Sequence, residues 1–265
     1  WQNSLTAYRD ENGKPYSQTY LKAINNQLTA MFNYAVKYYD LHENPCTKAG
    51  SMGKSHAEEM NFWTKAEFEQ FIVAVQDKPA SYTAFMTLYY TGMRVGELCA
   101  LTPADVDLVG HTITINKTFQ RINGRDVIWP PKTPKSNRVV TIPQTLANCL
   151  KEYMNKCYDI QPDDRLFPYT KSFLNHEMLR GCKKSGVKKI RVHDLRHSHA
   201  SLLIEMGCQP LLIADRLGHE KIQTTLNTYS HLYPNKQAEV AAQLENVMNG
   251  TTVPNGSQMA GVANL

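Results

Sequence analysis

The stretch HDLRHSHA, at residues 193–200, carries three histidines and one arginine. A second stretch, LGHEKIQTTLNTYSH at residues 217–231, adds two further histidines and Tyr229. Arginine binds phosphate oxygens through two parallel N–H groups and stays charged in almost any surroundings. Because neither stretch holds a neighbouring pair of acidic side chains, the two together favour a phosphate site over a metal site. Both lie in a part of the chain, from Thr145 to about Met248, whose apolar spacing is mostly helical.

Helical patterns also fill the N-terminal part of the chain. The first residues read as a polar loop, and apolar side chains then recur at three- and four-residue spacing from about Ser17 to Leu41, which predicts one strong amphipathic helix. Another helix is predicted to begin at Thr64, whose hydroxyl caps the first turn while Glu67 reaches back in a capping box. Two further helices are predicted, over Ser81–Tyr90 before Gly92 and from about Val95 to Leu101.

A β-rich region separates these helices from the later ones. From His111 the segment HTITINKTF alternates in twos, and the pair Asn123-Gly124 is typical of a hairpin turn. The segments DVIW and RVVTI supply two further short runs of strand-forming residues. The sequence therefore predicts a mainly α fold with a small antiparallel β-sheet, of the α+β class.

The length of 265 residues favours two unequal domains. The polar segment from Glu43 to Glu59 contains Pro45, Gly50 and Gly53, and we interpret it as a linker without regular structure. We expect a partial helical domain with its linker at residues 1–58, a second and larger domain at 59–248 and a flexible tail at 249–265. Because the chain opens without methionine inside a polar stretch, we also expect that an N-terminal segment has been removed.

The amino-acid composition says more about the cellular environment of the protein than about its function. The net charge of +5 suits a polyanionic partner but decides little alone. The six cysteines form no CxxC pair, which disfavours a zinc ribbon and a dense disulfide framework. No apolar run is long enough for a membrane span, and the start lacks the features of a signal peptide. We expect a protein of the reduced prokaryotic cytosol, associated with the nucleoid and not with a membrane.

Transfer of a phosphoryl group to a tyrosine places two demands on a site. The phenol, with a pKa near 10, must lose its proton as it attacks, and the departing hydroxyl must gain one. Histidine and lysine can perform both proton transfers. Because one phosphate ester is exchanged for another, the linkage can be resealed without ATP, and no cofactor or metal is required.

Four ordered segments resemble the tyrosine recombinase family, and within it the integrases of phages and conjugative transposons. They are TGMRVGEL around Arg94, PPKTPKSNR around Lys132, and the two stretches that contain His193 and Tyr229. The resemblance runs from about Asn61 to Pro234 and is specific because all four segments occur in order. It implies the tyrosine recombinase catalytic-domain fold, preceded by a partial helical core-binding domain.

The resemblance also implies a role for each matching residue. Arg94 and Arg196 are implied to bind the scissile phosphate, with Glu97 in support of Arg94. His219 is implied to donate a hydrogen bond to the phosphate, and Tyr229 to be the nucleophile. Lys132 is implied to be the general acid and His193 a general acid or base, with Lys135 as a weaker candidate for the lysine. Further DNA contacts are expected from basic residues of the hairpin and of the KKSGVKKIR run: Lys135, Arg138, Lys188, Lys189 and Arg191.

Several of these residues also have ordinary structural interpretations. His193 and His197 share a helix face, but the glutamate of an HExxH zinc motif is absent and Arg196 would repel a cation. We therefore expect His197 and His199 to be structural or DNA-facing. Tyr233, four residues after Tyr229, is the neighbouring tyrosine that could be mistaken for the nucleophile. The basic run before His193 is either a solvated loop or a set of phosphate contacts.

The implied activity is site-specific recombination that integrates or excises a mobile element through a covalent 3′-phosphotyrosyl intermediate. The implied partner is double-stranded DNA, held in a C-shaped clamp. On DNA the chain is expected to form a homotetramer, whereas a monomer is an option for the free protein. Accessory DNA-bending proteins are left open. The segment from Pro234 to Met248 is expected to pack on its own domain or on a neighbouring protomer. The alternatives are relaxation of DNA like that of type IB topoisomerases, a non-catalytic DNA-binding regulator and, more remotely, a metal-dependent nuclease.

Overall fold

The computed structural model of the chain describes residues 1–54, 61–131 and 133–233, together with Ala241, Glu245 and Met248. The chain divides into two compact units, one from Trp1 to Asn61 and one that begins at Phe62. The predicted linker end at 58, the helix from Pro234 to Met248 and the tail at 249–265 fall largely or wholly outside the described residues. The predicted domain boundaries therefore stay predictions.

The described part of the N-terminal unit, residues 1–54 and 61, contains three helices where the sequence predicted one. They are α1 (Gln2–Ala7), α2 (Gln18–Tyr38) and α3 (Pro45–Ala49). The prediction of a polar opening loop was wrong at α1, and the prediction of an unstructured segment after Glu43 was wrong at α3. Asn44 explains α3, because its side chain accepts the N–H of Cys46 at 2.8 Å and also donates to the carbonyl oxygen of Thr29 on α2 at 3.0 Å. Pro45 fits the first turn of a helix, where no backbone donor is needed.

The second unit begins with the predicted helices. Helix α4 (Lys65–Ala74) starts with the Thr64 and Glu67 capping box, as expected. It is followed by α5 (Pro79–Thr91) and by α6 (Val95–Leu98), which is shorter than predicted. Aromatic rings bind these helices together, since Phe68 of α4 stacks on Tyr89 of α5 with centroids 3.6 Å apart.

The β region forms two small antiparallel sheets rather than one. Strands β1 (Val106–Asp107), β2 (Thr112–Ile115) and β5 (Arg138–Thr141) form a sheet with β2 in the middle. Strands β3 (Thr118–Ile122) and β4 (Arg125–Trp129) form a separate hairpin that turns at Asn123 and Gly124, as predicted. The alternating run from His111 thus supplies two strands, β2 and β3, that belong to different sheets.

The later helices carry most of the candidate site. They are α7 (Gln144–Lys156), α8 (Lys171–Ser185), α9 (Asp194–Glu205), α10 (Pro210–Leu217) and α11 (Ile222–Tyr229). Helix α9 packs on α5, and α10 packs on α9 and α11, while α8 packs on α4. The HDLRHSHA stretch therefore lies on α9 between α5 and α10, and Tyr229 ends α11 beside it.

Two glycines stop helices at the site in the left-handed conformation. Gly92 follows α5 with φ +66°, and Gly218 follows α10 with φ +67°.

Within the described ranges, no helix is both long and apolar enough to cross a membrane.

Candidate active site

Glu97 fixes two arginines at the start of α6. Its carboxylate accepts the backbone N–H of Arg94 at 2.8 Å and the Arg94 Nη1 group at 2.9 Å. From β5, Arg138 Nη2 donates to the same carboxylate at 2.9 Å. Because Glu97 is buried and Arg94 remains 40% exposed at its side chain, the carboxylate holds Arg94 in place while leaving much of its guanidinium open.

The hydrogen-bond partners of Glu97 keep its carboxyl group ionised. Burial alone would raise the pKa of this carboxyl, but the hydrogen bond and charge of Arg138, followed by those of Arg94, hold the pKa below its ordinary value. Glu97 is therefore ionised at neutral pH. It compensates the positive charge of Arg138, whose side chain is only 6% exposed.

Arg196 is a buried guanidinium with a spare donor. It lies on α9, is 4% exposed, and donates Nη1 to the carbonyl oxygen of Gly92 at 2.8 Å. Its Nη2 is also buried and has no hydrogen-bond partner among the described residues. Burial, with a further contribution from Arg94, lowers the pKa of Arg196 to about 9, so the side chain stays charged at neutral pH. A buried cation with an unused donor is suited to receive an anion.

Tyr229 lies inside the same cluster. Its side chain is 1% exposed, and its hydroxyl lies 2.8 Å from Nδ1 of His197 on α9. Burial raises the pKa of Tyr229 to about 12, and the positive charge of Arg196 partly opposes that rise. Tyr233, the alternative tyrosine, lies beyond the end of α11 and does not make this contact with His197.

His193 and His219 flank the arginines. Burial, followed by the charge of Arg196, lowers the pKa of His193, whose ring meets that of His197 edge-on at 5.7 Å. The Nδ1 atom of His219 lies 2.7 Å from the hydroxyl of Thr225. Burial and the charges of Arg196 and Arg94 lower the pKa of His219 to about 4, so it is neutral at pH 7 and keeps one ring nitrogen as a donor.

Two cavities open beside Arg94. One has a volume of about 390 Å³ and is lined by Arg94, Glu97 and His219 together with Pro131 and Thr133. The other, of about 500 Å³, is lined by Arg94, Thr118, Arg191 and His193 among others. Lys117, which the sequence analysis missed, also lines the first cavity and pairs with Asp105 at 2.7 Å. It lies directly before strand β3, and that position gave no distinguishing signal.

The remaining predicted residues have different surroundings. Lys132 is outside the described residues, although its neighbours Pro131 and Thr133 line the first cavity. Lys135 and Lys189 are exposed. Lys188 pairs with Glu67 at 3.4 Å, and Arg191 with Asp194 at 2.7 Å. Arg138 differs from the other expected DNA contacts, because it is buried against Glu97.

His197 is the residue whose position the sequence analysis undervalued. The expectation for it was a structural or DNA-facing role, but it contacts the hydroxyl of Tyr229 directly. The signal was present, since His197 shares a helix face with His193 at four-residue spacing. His199 packs in the interior, where its Nε2 accepts from Arg216 Nε at 3.1 Å.

The helix-rich fold is that of a tyrosine recombinase catalytic domain, and the chain belongs to the phage integrase family, whose model matches residues 61–236. The family resemblance of the sequence is thereby confirmed.

Two relatives show how the match extends. The ICEBs1 integrase of Bacillus subtilis (strain 168) is 33% identical over 86% of this chain. The integrase of Staphylococcus phage L54a is 29% identical over 92% of this chain and 79% of its own length. The chain spans 66% of the ICEBs1 integrase, just under two thirds of that protein.

The fold is similar to those of solved recombinases. The Tn1549 transposon integrase in complex with a circular intermediate DNA matches 88% of this chain and 80% of its own with a TM-score of 0.71 at 22% identity. The XerA recombinase matches 86% of this chain and 76% of its own with a TM-score of 0.55 at 25% identity. These matches confirm the predicted fold class, a mainly α fold with small antiparallel sheets.

Proposed function

We propose that this chain is the catalytic part of a site-specific DNA recombinase, an integrase that cleaves and rejoins DNA through a covalent link to Tyr229. The observation that carries the proposal is the buried guanidinium of Arg196, whose Nη2 has no partner among the described residues and whose charge acts on the Tyr229 hydroxyl. A scissile phosphate is the ligand that needs both a buried cation and a nearby nucleophile.

Charge stabilisation falls to three side chains. Phosphoryl transfer gathers negative charge on the non-bridging oxygens, and fixed donors stabilise that charge without having to reorient. Arg196 supplies the buried donor and Arg94 the half-exposed one, while His219 donates from its free ring nitrogen. Glu97 keeps Arg94 aligned through two hydrogen bonds.

Proton transfer completes the chemistry. As the Tyr229 oxygen bonds to phosphorus, the 5′ oxygen of the cleaved strand departs and takes a proton, which we assign to Lys132. The position of Pro131 and Thr133 on the cavity wall beside Arg94 supports this assignment. His193 is proposed as a further acid or base. A 5′ hydroxyl from a second duplex then attacks the phosphotyrosine and reverses the step. No metal or cofactor takes part in this scheme.

The proposed partner is double-stranded DNA. Solved relatives of the same fold were captured with DNA, among them the Tn1549 integrase and a lambda integrase dimer on a core site. We extend to this chain a helical DNA-holding domain at 1–58, a catalytic domain at 59–248 and a clamp around the duplex. Strand exchange between two duplexes needs four active sites, so a tetramer on DNA is part of the proposal. We also propose that the protein works in the cytoplasm of a prokaryote.

Strand exchange tests this function directly. The protein is incubated in chelator with two labelled duplexes of different length, each taken from DNA that flanks its own gene. We expect recombinant molecules that join halves of the two duplexes. Relaxation of supercoiled DNA without joining would support a topoisomerase instead, and tight binding without any cleavage would support a DNA-binding regulator. Loss of cleavage in chelator would point to a metal-dependent nuclease.

A further inference from the structure

His197 is the side chain that meets the reacting oxygen of Tyr229. The two residues come from different helices, α9 and α11, and Nδ1 of His197 lies 2.8 Å from the Tyr229 hydroxyl. Their rings meet edge-on with centroids 5.7 Å apart. This is hydrogen-bond distance for a proton transfer between a phenol and an imidazole.

Both partners are in the protonation state from which a transfer from the phenol to the ring begins. Burial, followed by the neighbouring His193, lowers the pKa of His197 to about 4, so the ring is neutral at pH 7. A neutral imidazole has one protonated nitrogen and one acceptor. The phenol is also protonated at this pH, so in the tautomer of His197 that carries its ring proton on Nε2, the Nδ1 atom accepts the phenolic O–H.

We propose that His197 is a catalytic residue, the general base that accepts the phenolic proton of Tyr229 at Nδ1. This inference rests on the proposed recombinase function. As the Tyr229 oxygen forms its bond to phosphorus, its proton passes to Nδ1, and the bond from phosphorus to the 5′ oxygen breaks. The departing oxygen takes its proton from a different acid. On rejoining, His197 returns its proton to the phenol oxygen as the phosphotyrosine bond breaks.

The geometry separates the tasks of the two neighbouring histidines. Within the described part of the chain, the hydrogen bond of the Tyr229 hydroxyl goes to His197, whereas His193 faces the ring of His197 at 5.7 Å. His193 also lines the cavity beside Arg94, where the phosphate is expected. His193 is therefore placed to act on the phosphate side of the reaction, and His197 on the tyrosine side.

The first test replaces His197 by a side chain that accepts a hydrogen bond but does not take up a proton. In a His197→Asn variant, the side-chain oxygen stands close to the position of Nδ1 and accepts the same hydrogen bond, but it does not take up a proton at neutral pH. General bases typically contribute about 10²–10⁴-fold to a rate, so we expect the rate of covalent linkage to fall by about 10²-fold or more. His176→Asn, at an exposed histidine of α8, is the matched control and should leave the rate unchanged.

The second test removes the need for a base. Tyr229 is replaced by a fluorinated tyrosine whose phenol ionises near neutral pH, in both the otherwise unaltered chain and the His197→Asn variant. If His197 accepts the proton, the acidic phenol should erase most of the difference in rate between the two proteins. A defect of the same size with both phenols would mean that His197 only positions the ring, and would overturn the inference.

The same series distinguishes this inference from the proposed function. Covalent linkage by the unaltered chain with an equal rate in His197→Asn would overturn the role of His197 and leave the recombinase standing. Failure of the unaltered chain to link to DNA that it binds would overturn the recombinase, and the inference with it. Melting temperature and DNA affinity, measured for each variant, should stay at the values of the unaltered chain.

Discussion

At the scale of single residues, the site depends on Glu97. Its buried carboxylate is shared by Arg94 and Arg138, so one charge compensates one buried guanidinium and aligns another. Removal of one partner from a buried ion pair leaves an uncompensated charge, which costs about 3–5 kcal/mol.

A Glu97→Gln variant should therefore lower the free energy of unfolding by about 3 kcal/mol. It should also weaken DNA cleavage, because Arg94 loses its charged anchor. Urea unfolding, followed through the fluorescence of buried Trp63, measures the first effect. Glu69→Gln, at a half-exposed ion pair with Lys65, is the control and should change stability by less than about 1 kcal/mol. Equal stability of the two variants would contradict the account of Glu97.

The pH dependence of stability follows from the same carboxyl. The pKa of Glu97 in the folded chain lies below its ordinary value of 4.5. Its stabilisation is therefore fully present above the pKa of the unfolded chain, and it is lost as the pH falls through the lower, folded pKa. We expect the Glu97→Gln variant to lose less stability than the unaltered chain when both are titrated from pH 6 to about pH 3. A parallel loss in both proteins would contradict this assignment.

At the scale of elements, the ends of helices position the groups that we propose to be catalytic. Gly92 ends α5 in the left-handed conformation, and its carbonyl oxygen receives Arg196. A Cβ atom at this position would lie 2.6 Å from His199 Cδ2 and 2.7 Å from Leu217 Cδ2. The turn thus needs glycine for its backbone angle and for the close approach of α9 and α10.

A Gly92→Ala variant should lose about 2–4 kcal/mol of stability, from the strained backbone and the overpacked core together. Gly186→Ala is a matched control, because Gly186 also ends a helix in the left-handed conformation but a Cβ there would meet nothing within 4 Å. It should lose only about 1 kcal/mol. Thermal unfolding of both variants measures the difference, and similar losses would refute the packing argument.

Local chemistry explains which elements the sequence predicted. The Thr64 capping box and the Asn123-Gly124 turn depend on adjacent residues, and both were predicted. Helix α3 was not predicted although Asn44 and Pro45 are a local signal for a helix start, because the segment is polar and its anchor on α2, Thr29, lies 15 residues away in sequence. The assignment of β2 and β3 to separate sheets was missed for a similar reason, since β2 pairs with the distant β5.

In the candidate site, too, the sequence predicted the residues but not the contacts between residues that are distant in sequence. The resemblance to the recombinase family singled out Arg94, Arg196, His219 and Tyr229, and the structure brings their chemical groups into one cluster. It did not predict that Arg138 is buried against Glu97, because that ion pair joins β5 to α6. The contact of His197 with Tyr229 likewise depends on how α11 lies against α9.

At the scale of the whole molecule, a net charge of +5 favours binding to DNA. The logarithm of the affinity for DNA should fall linearly with the logarithm of the salt concentration as counterions return to the phosphates. Lys189 is exposed next to the stretch that contains His193, and we expect it to contact one phosphate.

A Lys189→Gln variant should reduce the slope of log affinity against log salt by about 1. Lys151→Gln is the control, because Lys151 is exposed on α7, a helix that lines neither cavity beside Arg94. Fluorescence anisotropy with labelled duplex across a salt series measures both slopes. An unchanged slope for Lys189→Gln would remove this residue from the DNA interface.

The identity of the nucleophile is the central claim, and denaturing gel analysis of protein linked to DNA tests it most directly. The unaltered chain, Tyr229→Phe and Tyr233→Phe are incubated in chelator with end-labelled duplex from DNA that flanks the gene. We predict a 3′-linked species with the unaltered chain and with Tyr233→Phe, and none with Tyr229→Phe. A linked species formed by Tyr229→Phe, or none formed by the unaltered chain on DNA that it binds, would contradict the account.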